Sequence, residues 1–360
     1  MKAVHCRAPF IGLTLTPINK YCCCCCNETY ANNIEQHRLD MYKNHINELC
    51  KTCSVRYEFN STKYNDIFEH NIKNFNINTG IINNFKIGWL HLVYTYFCNA
   101  DCIMCGLEKT NNKTLDLSFI PTQKIPKISL QGGEIFLFEN EILKLLNLIN
   151  PEFLNIITNG TLISYKIYRK LSEFHNTCVN FSIDGIGIAN EAIRKNCKYE
   201  KIIHNIKLIN EKYSNLTIVI NYTITIFNIY NIVDDLIQLK KDLQDIKFIL
   251  CLNLCYQPKY FSVCSLDEFN KQEIKKLIDV NTIVQHNLLD NLKKRTTVIN
   301  LYKNPHMFDE LIKLIDYTPI KQKISNRFKR EIEKRPLLYG KIHKNIRDFI
   351  ENYNVFHTRD

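Results

Sequence analysis

The amino-acid sequence predicts an α/β fold: a partial (β/α)₆ barrel that follows a small cysteine-rich N-terminal module and precedes a helical C-terminal region. Three observations lead to this prediction. Strand-like and helix-like patterns alternate between residues 86 and 258, three of the strands have one polar face, and most cysteines lie before or just after the first strand. Alternating β/α units are typical of a parallel sheet covered by helices.

Six strand-like segments and the helical segments between them make six β/α units, two fewer than a complete TIM-like barrel. The helical segments read ENEILKLLNLIN, LISYKIYRKLSEF, YEKIIHNIKLINEKY and IVDDLIQLKKDL. The strands are predicted at Trp89–Phe97, Lys127–Gln131, Phe153–Thr158, Cys178–Asp184, Leu216–Phe227 and Ile246–Cys255.

The last three predicted strands alternate polar and apolar residues, although strands of a covered parallel sheet usually read as continuous apolar runs. The polar positions include Asn180, Ser182 and Asp184 in the first of these strands, Asn221 in the second and Cys251 in the third. Because side chains alternate between the two faces of a strand, we expect these polar faces to point into a shared lumen that holds a polar ligand. The alternative is a sheet with one solvated face.

With 360 residues, the chain exceeds the usual size of a single domain. We expect a cysteine-rich module at 1–60, a linker at 61–85, the barrel at 86–260 and the helical region at 261–360.

Composition predicts a cytoplasmic protein that needs neither a membrane nor a nucleic acid as partner. Hydrophobic residues make up 45% of the chain, but no apolar run is long enough to span a bilayer, and the N-terminus does not resemble a secretory signal. The net charge is +11, and residues 313–347 have a basic excess without the interleaved aromatic residues of an RNA-binding surface. We expect a solvated helical face here, and an RNA or anionic-peptide surface is the alternative.

The sixteen cysteines are the main functional signal, because thiols in the cytosol are kept reduced and their clusters usually bind metal or perform redox chemistry. Cys98, Cys102 and Cys105 form a C-x₃-C-x₂-C motif directly after the first predicted strand. Thiolates are the usual ligands of a 4Fe–4S cluster, which has four corners. Three thiolates leave one iron open, and an open coordination position is typical of a reactive metal site.

This motif, in a loop after the first strand, resembles the signature of the radical S-adenosylmethionine (SAM) superfamily. Further stretches follow later strands as in that superfamily: QGGE with Gly132, Gly133 and Glu134, then TNG with Asn159, then FSIDG with Ser182, and Arg194 twelve residues further on. One departure is Met104 before the third cysteine, where the superfamily often has an aromatic residue. A thioether can still pack on adenine.

The resemblance implies two cofactors, a 4Fe–4S cluster held by the three cysteines and SAM bound at the open iron. One electron from the reduced cluster would cleave SAM and release a 5′-deoxyadenosyl radical, which abstracts a substrate hydrogen. Glu134 would bind the amino group of SAM, and Ser182 and Arg194 its carboxylate and ribose. Gly132, Gly133 and Asn159 belong to the same cofactor site, with Asp184 and Asn221 as further candidates.

The N-terminal cysteines resemble the SPASM or shortened twitch extension of the same superfamily, although those extensions usually follow the barrel. The pattern is C-x-x-P-F, a short hairpin that ends in cysteines, a helical stretch and C-x-x-C. It implies a second, auxiliary iron–sulfur cluster. Its ligands would be Cys6, one of Cys22–Cys26 (Cys24 or Cys25 by spacing), Cys50 and Cys53. A structural zinc site is the alternative, because thiolates suit both metals, and the run of five cysteines is partly of low complexity.

These expectations describe a radical SAM enzyme that acts on a peptide or protein side chain, since SPASM-like extensions are associated with peptide modification. The expected partners are the peptide or protein substrate and a low-potential electron donor such as flavodoxin or ferredoxin. Two alternatives stay open: a radical SAM enzyme for a small metabolite or RNA, and a non-catalytic zinc-binding protein associated with nucleic acid.

Overall fold

The computed structural model describes residues 4–18, 20–21, 33–46, 59–105, 113–255, 261–262, 270 and 272–273. The chain divides into two compact units. The first comprises Met1–Cys98, Glu108–Thr158 and Ser164–Val179, and the second comprises Asn99–Leu107, Asn159–Ile163 and Asn180–Asp360. Of the predicted C-terminal helical region, nearly all lies outside the described residues.

Ten strands are present in the described part of the chain. They are β1 (Gly12–Leu15), β2 (Lys20–Tyr21), β3 (Trp89–Val93), β4 (Asp101–Cys102), β5 (Ile125–Gln131), β6 (Pro151–Thr158), β7 (Thr177–Ser182), β8 (Arg194–Lys195), β9 (Thr217–Ile224) and β10 (Phe248–Leu254). Eight of them form one sheet in the order β10-β9-β7-β6-β5-β3-β1-β2, and β4 pairs with β8 in a separate ribbon.

The main sheet is mostly parallel, which confirms the predicted α/β class. Strand β1 pairs in parallel with β3, β3 with β5, β5 with β6, and β9 with β10. The short strand β2 pairs with β1 in the antiparallel direction. All six predicted strands are present, and β10 and β2 are at the two ends of the strand order.

The sheet differs from the prediction in its extra strands, in shifts of one or two residues at several strand ends, and in two strands that end three or four residues earlier than predicted. Strands β1 and β2 join it beyond β3, because all four residues of β1 are buried and pair with the start of β3. The first predicted strand ends at Val93, since Thr95 bridges to Thr114 instead. The fifth ends at Ile224, because the next residue, Thr225, starts a turn in which its N–H donates to Asn228 Oδ1 at 2.7 Å.

Eight helices lie in the described ranges, and every predicted helical segment between strands contains one. They are α1 (Ala8–Ile11), α2 (Ile34–Tyr42), α3 (Asn65–Lys73), α4 (Glu139–Leu148), α5 (Tyr165–Ser172), α6 (Ile188–Ile193), α7 (Tyr199–Lys212) and α8 (Ile232–Asp242). Helix α5 shows how local sequence stabilises a helix at both ends. Ser164 Oγ caps its N-terminus by accepting from Ile167 N, and the basic residues Arg169 and Lys170 lie in its last turn. No helix among the described residues is long and apolar enough to cross a bilayer.

Helices α1, α2 and α3 of the first unit surround an apolar cluster next to β3. Asn71 in α3 fixes the chain on both sides of this cluster: its Nδ2 donates to Phe10 O at 2.6 Å and to Lys86 O at 2.7 Å, and its Oδ1 accepts from Lys86 N at 2.9 Å. A buried side-chain amide needs such partners, because leaving it unpaired is costly. The cluster contains Cys6, Ala8, Phe10, Ile11, Met41, Phe59, Tyr64, Phe68 and Ile82.

Candidate functional site

The QGGE turn of the first unit packs directly on the backbone that leads into Cys98. Gly133 N donates to Thr95 O at 2.7 Å, and Glu134 N donates to Phe97 O at 2.9 Å. A Cβ atom on Gly133 would lie 2.0 Å from Phe97 O, and one on Gly132 would lie 2.7 Å from Thr95 O. The two glycines therefore let the chain's own backbone approach, and this contact fixes the residue before the first cysteine of the motif.

Glu134 of this turn is completely buried, and its carboxylate bonds to groups of its own unit. Its Oε1 accepts from Phe136 N at 3.0 Å, which caps the short 3₁₀ turn Ile135–Leu137. Thr158 Oγ1 lies 3.0 Å from both carboxylate oxygens. Burial, together with this carboxylate, raises the pKa of the nearby Tyr168 well above its usual range. The Glu of QGGE and the Thr of TNG are thus joined by a buried hydrogen bond.

In the second unit, the cysteine loop is held by the strand that contains Arg194. Strands β4 and β8 pair in antiparallel register, with Cys102 opposite Arg194. Ile103 N donates to Ile193 O at 2.9 Å, and Asn196 Nδ2 donates to Asn99 O at 3.1 Å. The second cysteine of the motif and the arginine selected from the sequence are therefore neighbours across a ribbon.

Asp184 binds the guanidinium of Arg194 through an ion pair. It is completely buried, and its Oδ2 accepts from Arg194 Nη1 at 2.8 Å. Its Oδ1 accepts from Thr223 N at 2.7 Å, so both carboxylate oxygens have protein partners. Its backbone is fixed as well, because Asn190 Oδ1 accepts from the Asp184 N–H and Asn228 Nδ2 donates to the Asp184 C=O. This arrangement makes Asp184 an anchor for Arg194.

Arg194 keeps its positive charge in this setting, and its Nε–H donor has no partner among the described residues. Burial opposes the charge, but the neighbouring Cys102, Asp184 and Cys197 outweigh burial and raise the pKa of Arg194 above its usual range. The Arg194 side chain is 13% exposed. Its Nε is buried and has no hydrogen-bond partner within the described part of the chain. A buried N–H of a cation without an acceptor is suited to an anionic ligand, because leaving it unpaired is costly.

A ring of three side chains ties the TNG turn to the cysteine loop within the second unit. Asn159 Nδ2 donates to Asn99 Oδ1 at 2.7 Å, Asn99 Nδ2 to Thr161 Oγ1 at 2.9 Å, and Thr161 Oγ1 to Asn159 Oδ1 at 2.7 Å. Between two of them, Gly160 adopts φ +73°, which favours glycine. Sequence reasoning selected Asn159 but not Asn99 or Thr161. Their positions, inside the cysteine motif and just after TNG, are the signals that point to them.

Ser182 and Asn221, also selected from the sequence, are half-buried residues at the carboxyl end of β7 and in the middle of β9. Asn221 is in register with Cys251 of β10, and Thr223 with Asn253. Because paired residues of parallel strands share a face, these four polar side chains lie on one face of the β9–β10 pair. The polar alternation predicted for these two strands is therefore present.

The cysteines of the motif are partly buried, and the eight cysteines in the described ranges form no disulfide. Among the described residues, no three His, Cys, Asp or Glu side chains converge as ligands of one metal ion do. A cluster of four irons is ligated at separate corners, so its thiolates do not need to converge on one point. As a donor set, three thiols within eight residues suit an iron–sulfur cluster better than a hard cation, which prefers oxygen ligands.

Only one ligand expected for the auxiliary cluster is described. Cys6 is 8% exposed within the apolar cluster of the first unit, and its Sγ accepts from Ala8 N at 3.4 Å. Strands β1 and β2 form a hairpin after it, and helix α2 follows. Cys24, Cys50 and Cys53, with the rest of Cys22–Cys26, lie outside the described residues.

Comparison by sequence finds one curated relative. No family model matches the chain. An uncharacterised protein of Methanocaldococcus jannaschii is 34% identical over 123 residues, which cover 30% of this chain and 42% of that protein. The match thus spans less than half of the relative's length.

Comparison by structure finds similarity at a low level to two proteins that were solved with bound peptides. A solved structure of anSMEcpe with bound AdoMet and Cp18Cys peptide is 21% identical, with a TM-score of 0.42 over 65% of this chain and 67% of the other. SuiB of Streptococcus suis bound to its precursor peptide SuiA is 15% identical, with a TM-score of 0.42 over 67% and 54%. Similarity at this level does not assign an activity, so a functional proposal depends on the chain's own residues.

Proposed function

We propose that this chain is a radical SAM enzyme, in which Cys98, Cys102 and Cys105 hold a 4Fe–4S cluster and SAM binds at the open iron. The observation that carries this proposal is the position of Arg194. A buried cation, whose Nε has no partner within the described ranges, lies across a strand pair from Cys102 and is anchored by Asp184. An anion-binding group beside a thiol-rich loop is what the carboxylate of a cluster-bound ligand needs.

The donor set is compatible with this cofactor. The three thiols lie in a loop of eight residues, which begins right after the backbone contact of the QGGE turn with Phe97. Within the second unit, this loop pairs with β8 and is hydrogen-bonded to Asn159. When bound, the cluster and SAM would supply one-electron cleavage of the sulfonium C–S bond and hydrogen abstraction from the substrate.

The chain's own residues would bind and orient the ligand. Arg194 and Ser182 would bind the carboxylate and ribose of SAM, and Asp184 would orient the guanidinium without contacting SAM. Glu134 would bind the amino group of SAM, and Gly132 and Gly133 would hold the turn in place. Asn159 would act through its hydrogen bonds to the cysteine loop, and Asn221 would line the ligand side of β9. We propose a peptide or protein side chain as the substrate, on the resemblance of the N-terminal cysteines to the SPASM or twitch pattern.

The same resemblance supports a second, auxiliary cluster held by Cys6, Cys24, Cys50 and Cys53. We expect it to be an iron–sulfur cluster rather than zinc. Analysis of iron and acid-labile sulfide separates the two, because two cubanes require about eight irons per chain and the SAM cluster alone about four.

The test uses full-length protein that is purified and reconstituted without oxygen, and compares wild type with Cys102→Ala. With SAM and dithionite, wild type is expected to form 5′-deoxyadenosine, and the variant is expected to form none and to lose about four irons. Cys178→Ala is the matched control, because this half-buried cysteine lies outside the motif, in β7. It is expected to keep both the iron and the activity.

Two results would overturn the proposal. One is a Cys102→Ala variant that cleaves SAM as well as wild type. The other is protein that binds zinc in the motif without labile sulfide, which would favour a non-catalytic role.

A further inference from the structure

One face of the first unit's sheet has a row of four polar side chains that stand side by side on four adjacent strands. Thr14 of β1 is in register with His91 of β3, His91 with Ser129 of β5, and Ser129 with Asn155 of β6. Because residues paired in parallel strands project to the same face, these four form one continuous line across the sheet. We call Thr14, His91, Ser129 and Asn155 the polar row.

On the opposite face, the positions that flank the polar row are aliphatic. The residues next to the polar row are all leucine or isoleucine, and none of them is more than 6% exposed. They are Leu13, Leu90, Ile128, Leu154, Leu15, Leu92, Leu130 and Ile156. A parallel sheet is usually apolar on both faces, and buried polar groups are retained at a cost. The polar row is therefore a feature that needs an explanation other than packing.

The polar row has hydrogen-bonding capacity that the described chain does not use. Thr14 has no solvent exposure, and its Oγ1 has no hydrogen-bond partner in the described residues. Ser129 is 3% exposed, and its Oγ accepts from Trp89 Nε1 at 3.0 Å, a bond that leaves the serine proton available. His91 is 9% exposed, and burial is the main reason why its pKa falls to about 4. Its imidazole is therefore uncharged at neutral pH.

The composition of the polar row indicates the class of its ligand. All four groups are uncharged at neutral pH, and as a set they can both donate and accept hydrogen bonds. The adjacent row contains Lys127, whose Nζ lies 3.5 Å from the centre of the Trp89 ring and would repel a cationic ligand. No group within the polar row neutralises a charged ligand of either sign, and burying an unpaired charge is costly.

We infer that the polar row is a binding site for an uncharged carboxamide, such as a peptide unit or an amide side chain. A carboxamide offers one C=O acceptor and N–H donors, which complement hydroxyl, imidazole and amide groups. As a site for the substrate of the enzyme, it rests on the proposed function; as a carboxamide site, it stands on the polar row alone. Its test therefore does not use SAM cleavage.

The test is a titration of full-length protein that is labelled with ¹³C at the Cε1 of its eleven histidines. The His91 resonance is assigned by its loss in His91→Gln. At neutral pH, N-acetylglycinamide is expected to shift this resonance in a saturable way. Acetate and methylammonium, as charged probes without a carboxamide, are expected to leave it unchanged. A shift with a charged probe, or with none of the three, would overturn the inference.

Variants of the polar row separate binding from structure. Thr14→Val and Ser129→Ala are expected to weaken the binding of N-acetylglycinamide at least about tenfold, since each removes a hydroxyl from the site. Thr122→Val, at an exposed threonine outside the polar row, is the matched control and is expected to bind as wild type does. Thr14→Val is also expected to keep the melting temperature, because its hydroxyl has no partner to lose in the part of the chain that the structure describes. Unchanged binding in both variants, or a lower melting temperature in Thr14→Val, would show a structural role instead.

Discussion

The buried carboxylate of Asp184 binds the guanidinium of Arg194 at 2.8 Å, while its other oxygen accepts from the backbone N–H of Thr223. This pair connects the end of β7 with β8 and β9, and β8 in turn pairs with the cysteine loop. Arg194 is thus held in place before any ligand arrives, and a preorganised donor loses little freedom when it binds.

Asp184→Asn tests this anchor. The asparagine keeps the size of the side chain but removes the charge that offsets buried Arg194. Breaking a buried ion pair from one side leaves an uncompensated charge, so we expect the free energy of unfolding to fall by about 3 kcal/mol. Urea denaturation followed by circular dichroism measures this change, and equilibrium dialysis is expected to show weaker SAM binding.

Glu173→Gln is the control for Asp184→Asn, because it removes one partner of the exposed ion pair between Lys170 and Glu173. Exposed ion pairs contribute little to stability, so this variant is expected to have the same free energy of unfolding as wild type. An Asp184→Asn variant with wild-type stability and SAM binding would mean that the pair does not position Arg194.

Gly133→Ala tests whether the glycine serves the chain's own backbone. The added Cβ would lie 2.0 Å from Phe97 O, and backbone cannot give way as a flexible side chain can. We expect a loss of about 3 kcal/mol or more in the free energy of unfolding, measured without SAM.

Gly187→Ala is the matched control for Gly133→Ala. Gly187 has φ +54°, but its added Cβ would meet only Glu200 Oε1 at 3.7 Å. Its expected cost comes from the backbone conformation alone, φ +54° with ψ −131°, and is about 1–3 kcal/mol. If Gly133→Ala instead has wild-type stability and loses only SAM binding, the glycine makes room for the ligand.

His91 predicts a dependence of stability on pH. Burial, aided by Lys127 and opposed by a hydrogen bond with Gln131, lowers its pKa from 6.5 to about 4. Between these values the unfolded chain binds a proton that the folded chain does not, so stability is full above pH 6.5 and falls as the pH drops towards 4. From pH 7 to pH 4, we expect wild type to lose about 3 kcal/mol more than His91→Gln does. Parallel pH profiles for the two proteins would refute this.

The raised pKa of Asp235 predicts the opposite dependence of stability on pH. Burial raises its pKa from 3.8 to about 6, despite a 2.6 Å hydrogen bond from Tyr222 Oη. The folded chain therefore keeps a proton that the unfolded chain has lost, and stability falls as the pH rises through 6. Asp235→Asn keeps an acceptor for Tyr222 without the charge, so we expect it to be more stable than wild type by about 2 kcal/mol at pH 7.5 and similar at pH 4.

Asp245→Asn is the control for Asp235→Asn, because Asp245 is an exposed carboxylate in the same unit. It is expected to change the stability little at either pH. Urea titrations at the two pH values provide the comparison. An Asp235→Asn variant that is less stable than wild type at pH 7.5 would contradict the prediction.

Much of the fold could be predicted from sequence because the β/α units are long and periodic. Each of the six strands and the helices between them has a clear repeat of apolar residues. Strand β1 could not be predicted as part of the sheet, since GLTL is only four residues long, is buried on both faces and pairs with a strand far away in sequence. Pairing between distant segments leaves no local pattern.

The candidate site was predictable only where its residues lie in motifs. The cysteine spacing and the pair of Asp184 with Arg194 involve residues that the sequence singles out. The ring of Asn99, Asn159 and Thr161 depends on hydrogen bonds between separate segments, and single polar residues in a loop give no sign of it. The burial of Glu134 under Thr158 and the alignment of the polar row depend in the same way on register, which only the folded chain defines.

The most direct test of the central claim is electron paramagnetic resonance of the anaerobically reduced protein, before and after the addition of SAM. If three thiolates leave one iron open for SAM, we expect a 4Fe–4S signal whose g-values change when SAM is added, and the loss of that signal in Cys102→Ala. A wild-type protein without the signal, or with a signal that SAM leaves unchanged, would contradict the account.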